Sequence, residues 1–155
     1  MQIAMDFDVT ASKARCTGYR RRILELSQSV TAVHIGGAFS CLEITDVAYF
    51  GLMKHNSPTP DTFILSKGHG AMAQYTVLEE RGVLSRDDLE QSGKPGGRLG
   101  MQPDYGLPGI EASTGSLGHG LPLSVGMALA DKVLGTDRVI YIVMSDGEMQ
   151  EGSEI

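Results

Sequence analysis

The chain has 155 residues, 41% hydrophobic and 21% charged, which is a globular rather than a disordered composition and about one domain's length. Its net charge of −6 excludes a general nucleic-acid footprint, and no segment reads as long and apolar enough to span a membrane. The opening MQIAMDFDVT carries acids where a signal peptide needs bases, and Cys16 and Cys41 lack metal-site or redox-motif spacing. Both are expected as reduced core thiols of a cytoplasmic protein.

In chain order, residues 10–31 are predicted helical, because Cys16, Tyr19, Ile23, Leu26 and Val30 recur at three- and four-residue steps and form one apolar stripe. Arg20-Arg21-Arg22 reads as a solvated face of that helix. After the glycine-rich His34-Ile35-Gly36-Gly37, the capping-box spacing of Ser40 and Glu43 predicts a second helix, with Ile44, Val47, Ala48, Gly51 and Leu52 as its buried face. Phe63-Ile64-Leu65 is a predicted strand leading into Ser66-Lys67-Gly68-His69-Gly70. A helix follows through Tyr75 and Leu78 with Gly82 as its stop, and Ser85 opens another short one. Residues 93–109 form a loop rich in glycine and proline, of a length that is uncommon unless functional. Past Gly115-Ser116-Leu117-Gly118-His119-Gly120, a small-residue helix is predicted from Leu121 to Leu134, stopped by Gly135. Arg138–Met144 (RVIYIVM) lacks alternation, so it reads as a strand buried on both faces of a parallel sheet. The fold class is therefore α/β, a mostly parallel sheet flanked by helices.

In open α/β sheets, ligands sit beyond the carboxyl ends of the strands. Asp146 lies at such an end, where a carboxylate suits a divalent cation with a bound phosphate, and Gly147 lets the backbone come close. The residues alone equally allow an ordinary Asp-Gly turn. His34, His69 and His119 occupy glycine-flanked loops and could line one cleft with Asp146, whereas His55 reads as a surface residue at a helix end.

Taken together, His34-Ile35-Gly36-Gly37, DTFILSKGHG (Asp61 to Gly70), LPGIEASTGSLGHGL (Leu107 to Leu121) and SDGEMQEGS (Ser145 to Ser153) resemble the N-terminal part of transketolase, the thiamine-diphosphate enzyme. The similarity runs from about Cys16 onward and is greatest to the small N-terminal subunit of split transketolases. It implies transfer of a two-carbon ketol unit from a ketose to an aldose sugar phosphate, with thiamine diphosphate and Mg²⁺ as cofactors. It also implies a C-terminal transketolase-like subunit or further domains as partner, in an oligomer. By the resemblance, Asp146 binds Mg²⁺ and Gly147 lies beside the diphosphate. His69 touches the diphosphate and the reacting centre, and His34 takes part in proton transfer. Gly115 and Leu117 support the thiamine rings, and Glu151 lies at the dimer interface between two active sites.

Three departures accompany the resemblance. Ser145 replaces the first glycine of the family's Gly-Asp-Gly, which a serine tolerates at negative φ. Gly100-Met101-Gln102-Pro103 stands where the family has Gly-His-Pro, and Gln102 can hydrogen-bond a hydroxyl but not exchange a proton. The family's downstream asparagine ligand to Mg²⁺ lies beyond Ile155, and its activating glutamate belongs to another domain. Residues 1–155 are accordingly expected to be a single truncated thiamine-diphosphate-binding domain. Two alternatives stay open: a deoxyxylulose-phosphate-synthase-like thiamine enzyme, and a non-catalytic remnant that acts as a binding partner.

Overall fold

The computed structural model describes residues 7–30 and 33–154. Helix α1 (Val9–Ser27) starts where the Asp8 carboxylate accepts from the backbone N–H groups of Thr10 and Ala11, at 2.8 and 3.0 Å. Its predicted stripe is buried, with Val30 just beyond its end. The helix ends at Ser27, short of the predicted residue 31: residues 28–30 form a turn, and residue 31 lies outside the described residues. A short helix α2 (Ile35–Phe39) precedes α3 (Leu42–Val47), which widens into a π-turn at Ala48–Leu52.

The second helix departs from expectation in two respects. Cys41, not Ser40, precedes it, and no side chain caps it. Its buried face is also rotated: Ala48 and Gly51 are buried as expected, but Ile44 is exposed and Leu42, Thr45 and Asp46 turn inward. The cause is Asp46. Its carboxylate is fully buried and accepts from the Ser12 hydroxyl at 2.6 Å, from the Arg15 guanidinium at 2.7 and 2.8 Å, and from the Tyr19 hydroxyl at 3.1 Å. A buried carboxylate must be satisfied, so the side of α3 that carries it faces α1.

Strand β1 (Thr62–Leu65) passes through a tight turn at Gly68–Gly70 into α4 (Ala71–Glu80). Residues 71–78 of α4 are all buried, as suits a helix with apolar residues around its whole circumference. Gly82 ends it at φ 70°, with the Val83 N–H donating to the Leu78 carbonyl at 2.9 Å. The Ser85–Asp88 capping box opens α5 (Arg86–Glu90). After the long loop comes α6 (Gly120–Leu134), stopped by Gly135, and then β2 (Ile140–Val143).

The two strands pair in parallel, Thr62 opposite Ile140 and Leu65 opposite Val143. The α/β class therefore holds: a helix-rich chain around a small parallel sheet. At the amino-terminal end of the pair, the Asp61 carboxylate accepts from the N–H groups of Val139 (2.9 Å) and Lys54 (2.8 Å) and locks the register. Phe63, Leu65 and Val143 join the core built on α1 and α4, in which Cys16 and Cys41 are free, buried thiols. Burial pushes both thiols above the ordinary cysteine range.

β2 is less buried than the apolar run RVIYIVM predicts. Only Val143 is fully covered, while Ile140, Tyr141 and Ile142 are half-buried, because among the described residues no strand pairs with its second edge. Alongside it, α6 leaves Leu123, Val125, Leu129, Val133 and Leu134 exposed, Val133 at 86%. No described helix is long and apolar enough to cross a membrane.

Covering one such side chain is worth roughly 1.5–3 kcal/mol against a whole-domain stability of about 5–15 kcal/mol. The 155-residue chain is therefore expected to self-associate at micromolar concentration, and Leu129→Lys with Val133→Glu to reduce that association. Sedimentation velocity reads this directly. A monodisperse monomer before any substitution would contradict it.

Candidate functional site

The carboxyl ends of β1 and β2 lie side by side, so the segments that leave them, Ser66–Gly70 and Met144–Glu148, start as neighbours. The backbone requirements there are strict. A Cβ on Gly68 would run into the Thr114 carbonyl at 2.6 Å, so only glycine lets the β1 turn back onto the 114–115 segment. Thr114 in turn donates its hydroxyl to the Leu65 carbonyl at 2.6 Å. A Cβ on Gly37 would stand 2.7 Å from the His69 ring, so α2 can settle on that histidine only as glycine.

These approaches bring His34 and His69 together, ring centroids 6.1 Å apart in an edge-on arrangement. His69 is half-buried and His34 exposed. Burial holds the His69 imidazole below the ordinary histidine range; the charges of Lys67 and His34 push the same way, and Glu148 opposes them. His69 is thus a neutral donor–acceptor at neutral pH, as a proton-transfer group requires. The other two histidines stand apart from this pair. His55 is half-buried and stacked on Tyr49, with Nε2 2.6 Å from the Tyr49 carbonyl oxygen. His119 is exposed, with Nδ1 3.0 Å from the Leu117 carbonyl oxygen.

Asp146 and Gly147 are exposed at the tip of the β2 turn. The Asp146 carboxylate makes no hydrogen bond or ion pair among the described residues, and a Cβ on Gly147 would meet nothing within 4 Å. A free carboxylate beside open backbone at a strand end suits a hydrated Mg²⁺ that takes one or two protein carboxylates and completes its shell with phosphate oxygens and water. No group of three or more histidine, cysteine or acidic residues suited to a metal is found among the described residues. Gly115 stands at φ 159° against the Gln102 carboxamide, which occupies the space of a Cβ there. Leu117 is half-exposed on the same loop. Glu151 is exposed, but its Cβ lies 2.7 Å from where a side chain on Gly118 would begin, so the 148–153 segment packs on this loop.

Sequence reasoning missed three residues here. Glu148 is fully buried and bonded to Ser66, Gly118 and Ser145. Ser66 bridges Glu148 and the Gly120 N–H. Lys67 is only 7% exposed, and its ammonium donates to the Ser40 hydroxyl at 2.8 Å with no carboxylate in ion-pair range among the described residues. All three lie inside the quoted motifs, but nothing in the sequence marked them as buried.

Compared with known proteins, residues 15–155 match the family model described as transketolase, thiamine diphosphate binding domain. The chain is 42% identical over 139 residues to an apulose-4-phosphate transketolase subunit of Phocaeicola vulgatus, covering 86% of this chain and 50% of that protein. It is 38% identical over 139 residues to the 6-deoxy-6-sulfo-D-fructose transketolase subunit SqwG of a Clostridium species, with the same coverage of 86% and 50%. The chain thus spans about half the length of these curated relatives. Among solved structures, the transketolase from Leishmania mexicana superposes with a TM-score of 0.84 at 28% identity, over 91% of this chain and 24% of that one. That of Campylobacter jejuni gives 0.82 at 26%, over 96% and 25%.

Because the folded chain disfavours a charged His69, stability is expected to be intact above the ordinary histidine pKa of about 6.5 and to fall as pH drops below it. Titration followed by imidazole NMR should place the His69 midpoint below 6.5, and His69→Gln should remove this part of the acid sensitivity. A midpoint at or above 6.5 would contradict the electrostatics described.

Proposed function

Since the chain belongs to the transketolase family, through its thiamine-diphosphate-binding domain, we propose that it forms the N-terminal, cofactor-holding part of an enzyme that moves a two-carbon ketol unit from a ketose to an aldose sugar phosphate. A partner subunit or further domains complete the active site. The observation that carries this reading is the strand-end arrangement: His69 and Asp146 leave adjacent, in-register parallel strands, and one buried carboxylate ties the two turns together.

In this reading Asp146 supplies an anionic oxygen to Mg²⁺, and the open backbone at Gly147 lies beside the diphosphate. Thiamine diphosphate, when bound, supplies the carbanion-stabilising chemistry of the transfer. His69, held neutral, exchanges a proton near the reacting centre, and His34, 6.1 Å away ring to ring, exchanges one with the donor or acceptor sugar. Gly115 and Leu117 form a shelf for the thiamine rings, and Glu151, exposed on the packed 148–153 segment, faces a second subunit in an oligomer. Gln102, against Gly115, stands near that shelf and offers a hydrogen-bonding carboxamide without proton exchange. It favours a sugar or reaction partner that needs no imidazole at that point. Relatives named for apulose-4-phosphate and 6-deoxy-6-sulfo-D-fructose fit such variation.

The 155-residue chain by itself is expected to give only background ketol transfer with thiamine diphosphate, Mg²⁺ and common ketose and aldose phosphates. Turnover at about 1 per second or faster would contradict the need for further domains. In the assembled enzyme, Asp146→Ala should weaken Mg²⁺-dependent cofactor binding in calorimetry, and His69→Ala should lower kcat about a hundredfold or more. Unchanged values in both variants would overturn the assignment.

A further inference from the structure

Asp146 and Gly147 are exposed, and the Asp146 side chain has no partner of its own among the described residues, so their placement depends on what their neighbours hold. Ser145 on one side and Glu148 on the other are both engaged. The Glu148 side chain is 0% exposed. Its Oε1 accepts from the Ser66 hydroxyl at 2.5 Å and from the Gly118 N–H at 3.0 Å, and its Oε2 accepts from the Ser145 N–H at 3.3 Å. The Ser145 hydroxyl accepts from the Glu148 N–H at 3.3 Å and closes the turn. The Ser66 hydroxyl, having donated to Glu148, accepts from the Gly120 N–H at 3.0 Å. A Cβ on Gly120 would collide with Ser66, so the bonded approach depends on glycine.

This pattern selects a carboxylate. Three donors converge on two oxygens, and among the described residues no lysine or arginine lies in ion-pair range of Glu148. A glutamine could place its one oxygen between Ser66 and Gly118, but its NH₂ would then face the Ser145 N–H, donor against donor. Burying an ion satisfied only by neutral groups is costly unless every lone pair is used well. General cohesion of the core does not call for it, since apolar residues would serve that purpose with less strain on solvation. What the carboxylate alone achieves is to join three segments far apart in sequence: the end of β1, the 115–120 loop and the β2 turn.

We propose that Glu148 is a positioning residue that clamps the Asp146–Gly147 turn to the loop bearing Gly115 and Leu117, in the relative placement that receives the diphosphate and its cation. The proposal rests on the cofactor assignment above. The clamp has two separable arms. One runs from Oε1 to Gly118 and, through Ser66, to Gly120, and it sets the ring-supporting loop. The other runs from Oε2 to Ser145 and sets the metal-side turn.

Amide hydrogen exchange on the full chain, alongside calorimetry with Mg²⁺ and thiamine diphosphate, tests this in Glu148→Ala and Glu148→Gln. In Glu148→Ala, the amides of Gly118, Gly120 and Ser145 should exchange at least tenfold faster while those of α4 keep wild-type protection, and cofactor affinity should fall at least tenfold. In Glu148→Gln, Gly118 and Gly120 should regain protection but Ser145 should not, and the remaining loss of affinity should appear mainly as a higher Mg²⁺ requirement. Uniform loss of protection through α4 in both variants would show a merely structural role and overturn the proposal. So would a protected Ser145 amide in Glu148→Gln, or loosened loops with unchanged affinity. If the wild-type chain binds no thiamine diphosphate, the cofactor assignment fails, and the exchange pattern still decides whether the two-armed clamp exists.

Discussion

The arrangement of this protein depends on the ends of one parallel strand pair being closed by buried carboxylates. Asp61 closes the amino-terminal end by accepting from the N–H groups of Val139 and Lys54, and Glu148 closes the carboxyl-terminal end by gathering Ser66, Gly118 and Ser145. Two four-residue strands make a weak sheet by themselves. Hydrogen bonds that would be modest in water are stronger in a low-dielectric interior, and leaving their partners unmade there costs more. The carboxylates therefore set the register of β1 against β2. That register places the turn bearing His69 next to the turn bearing Asp146.

The same principle appears a third time at Asp46, where a buried carboxylate holds Ser12, Arg15 and Tyr19 and aligns α3 with α1. Here the consequence is for outward packing. With its polar side turned in, α3 presents Ile44 and Val47 to a groove shared with Tyr141 and Ile142 of β2. On the far side, α6 exposes a second apolar surface. The chain thus has a well-packed half, centred on α4, and a half around β2 whose apolar faces are only partly covered.

Much of this was legible in the sequence, because the signals were local. The stripe of α1, the start of α5 at Ser85, the helix stops at Gly82 and Gly135, and the glycine-bearing turns after β1 and β2 all announce themselves within a few residues. The sequence suggested that His34, His69 and His119 could line one cleft with Asp146; the rings of His34 and His69 lie 6.1 Å apart, whereas His119 is exposed on its own loop. The rest depended on partners distant in the chain. Ser12 and Asp46 are 34 positions apart, and Ser66 and Glu148 are 82 apart, so no window of sequence shows that these acids are buried. Ile44 was misplaced for the same reason: hydrophobicity suggested an inward face, but satisfying Asp46 took precedence. β2 was read as covered on both faces because its composition reflects such an environment, whereas its coverage depends on what lies alongside.

In the proposed function, the ends of β1 and β2 and the 115–117 loop form one receiving surface for the diphosphate, its cation and the thiamine rings. Backbone amide shifts of the isotopically labelled chain, recorded as thiamine diphosphate is added in the presence of Mg²⁺, test it most directly. The largest changes are expected to cluster at His69, Gly115, Leu117, Asp146 and Gly147, and to shrink when Mg²⁺ is withheld. Changes centred instead on the apolar groove between α3 and β2, or no changes with cofactor and metal in large excess, would contradict it.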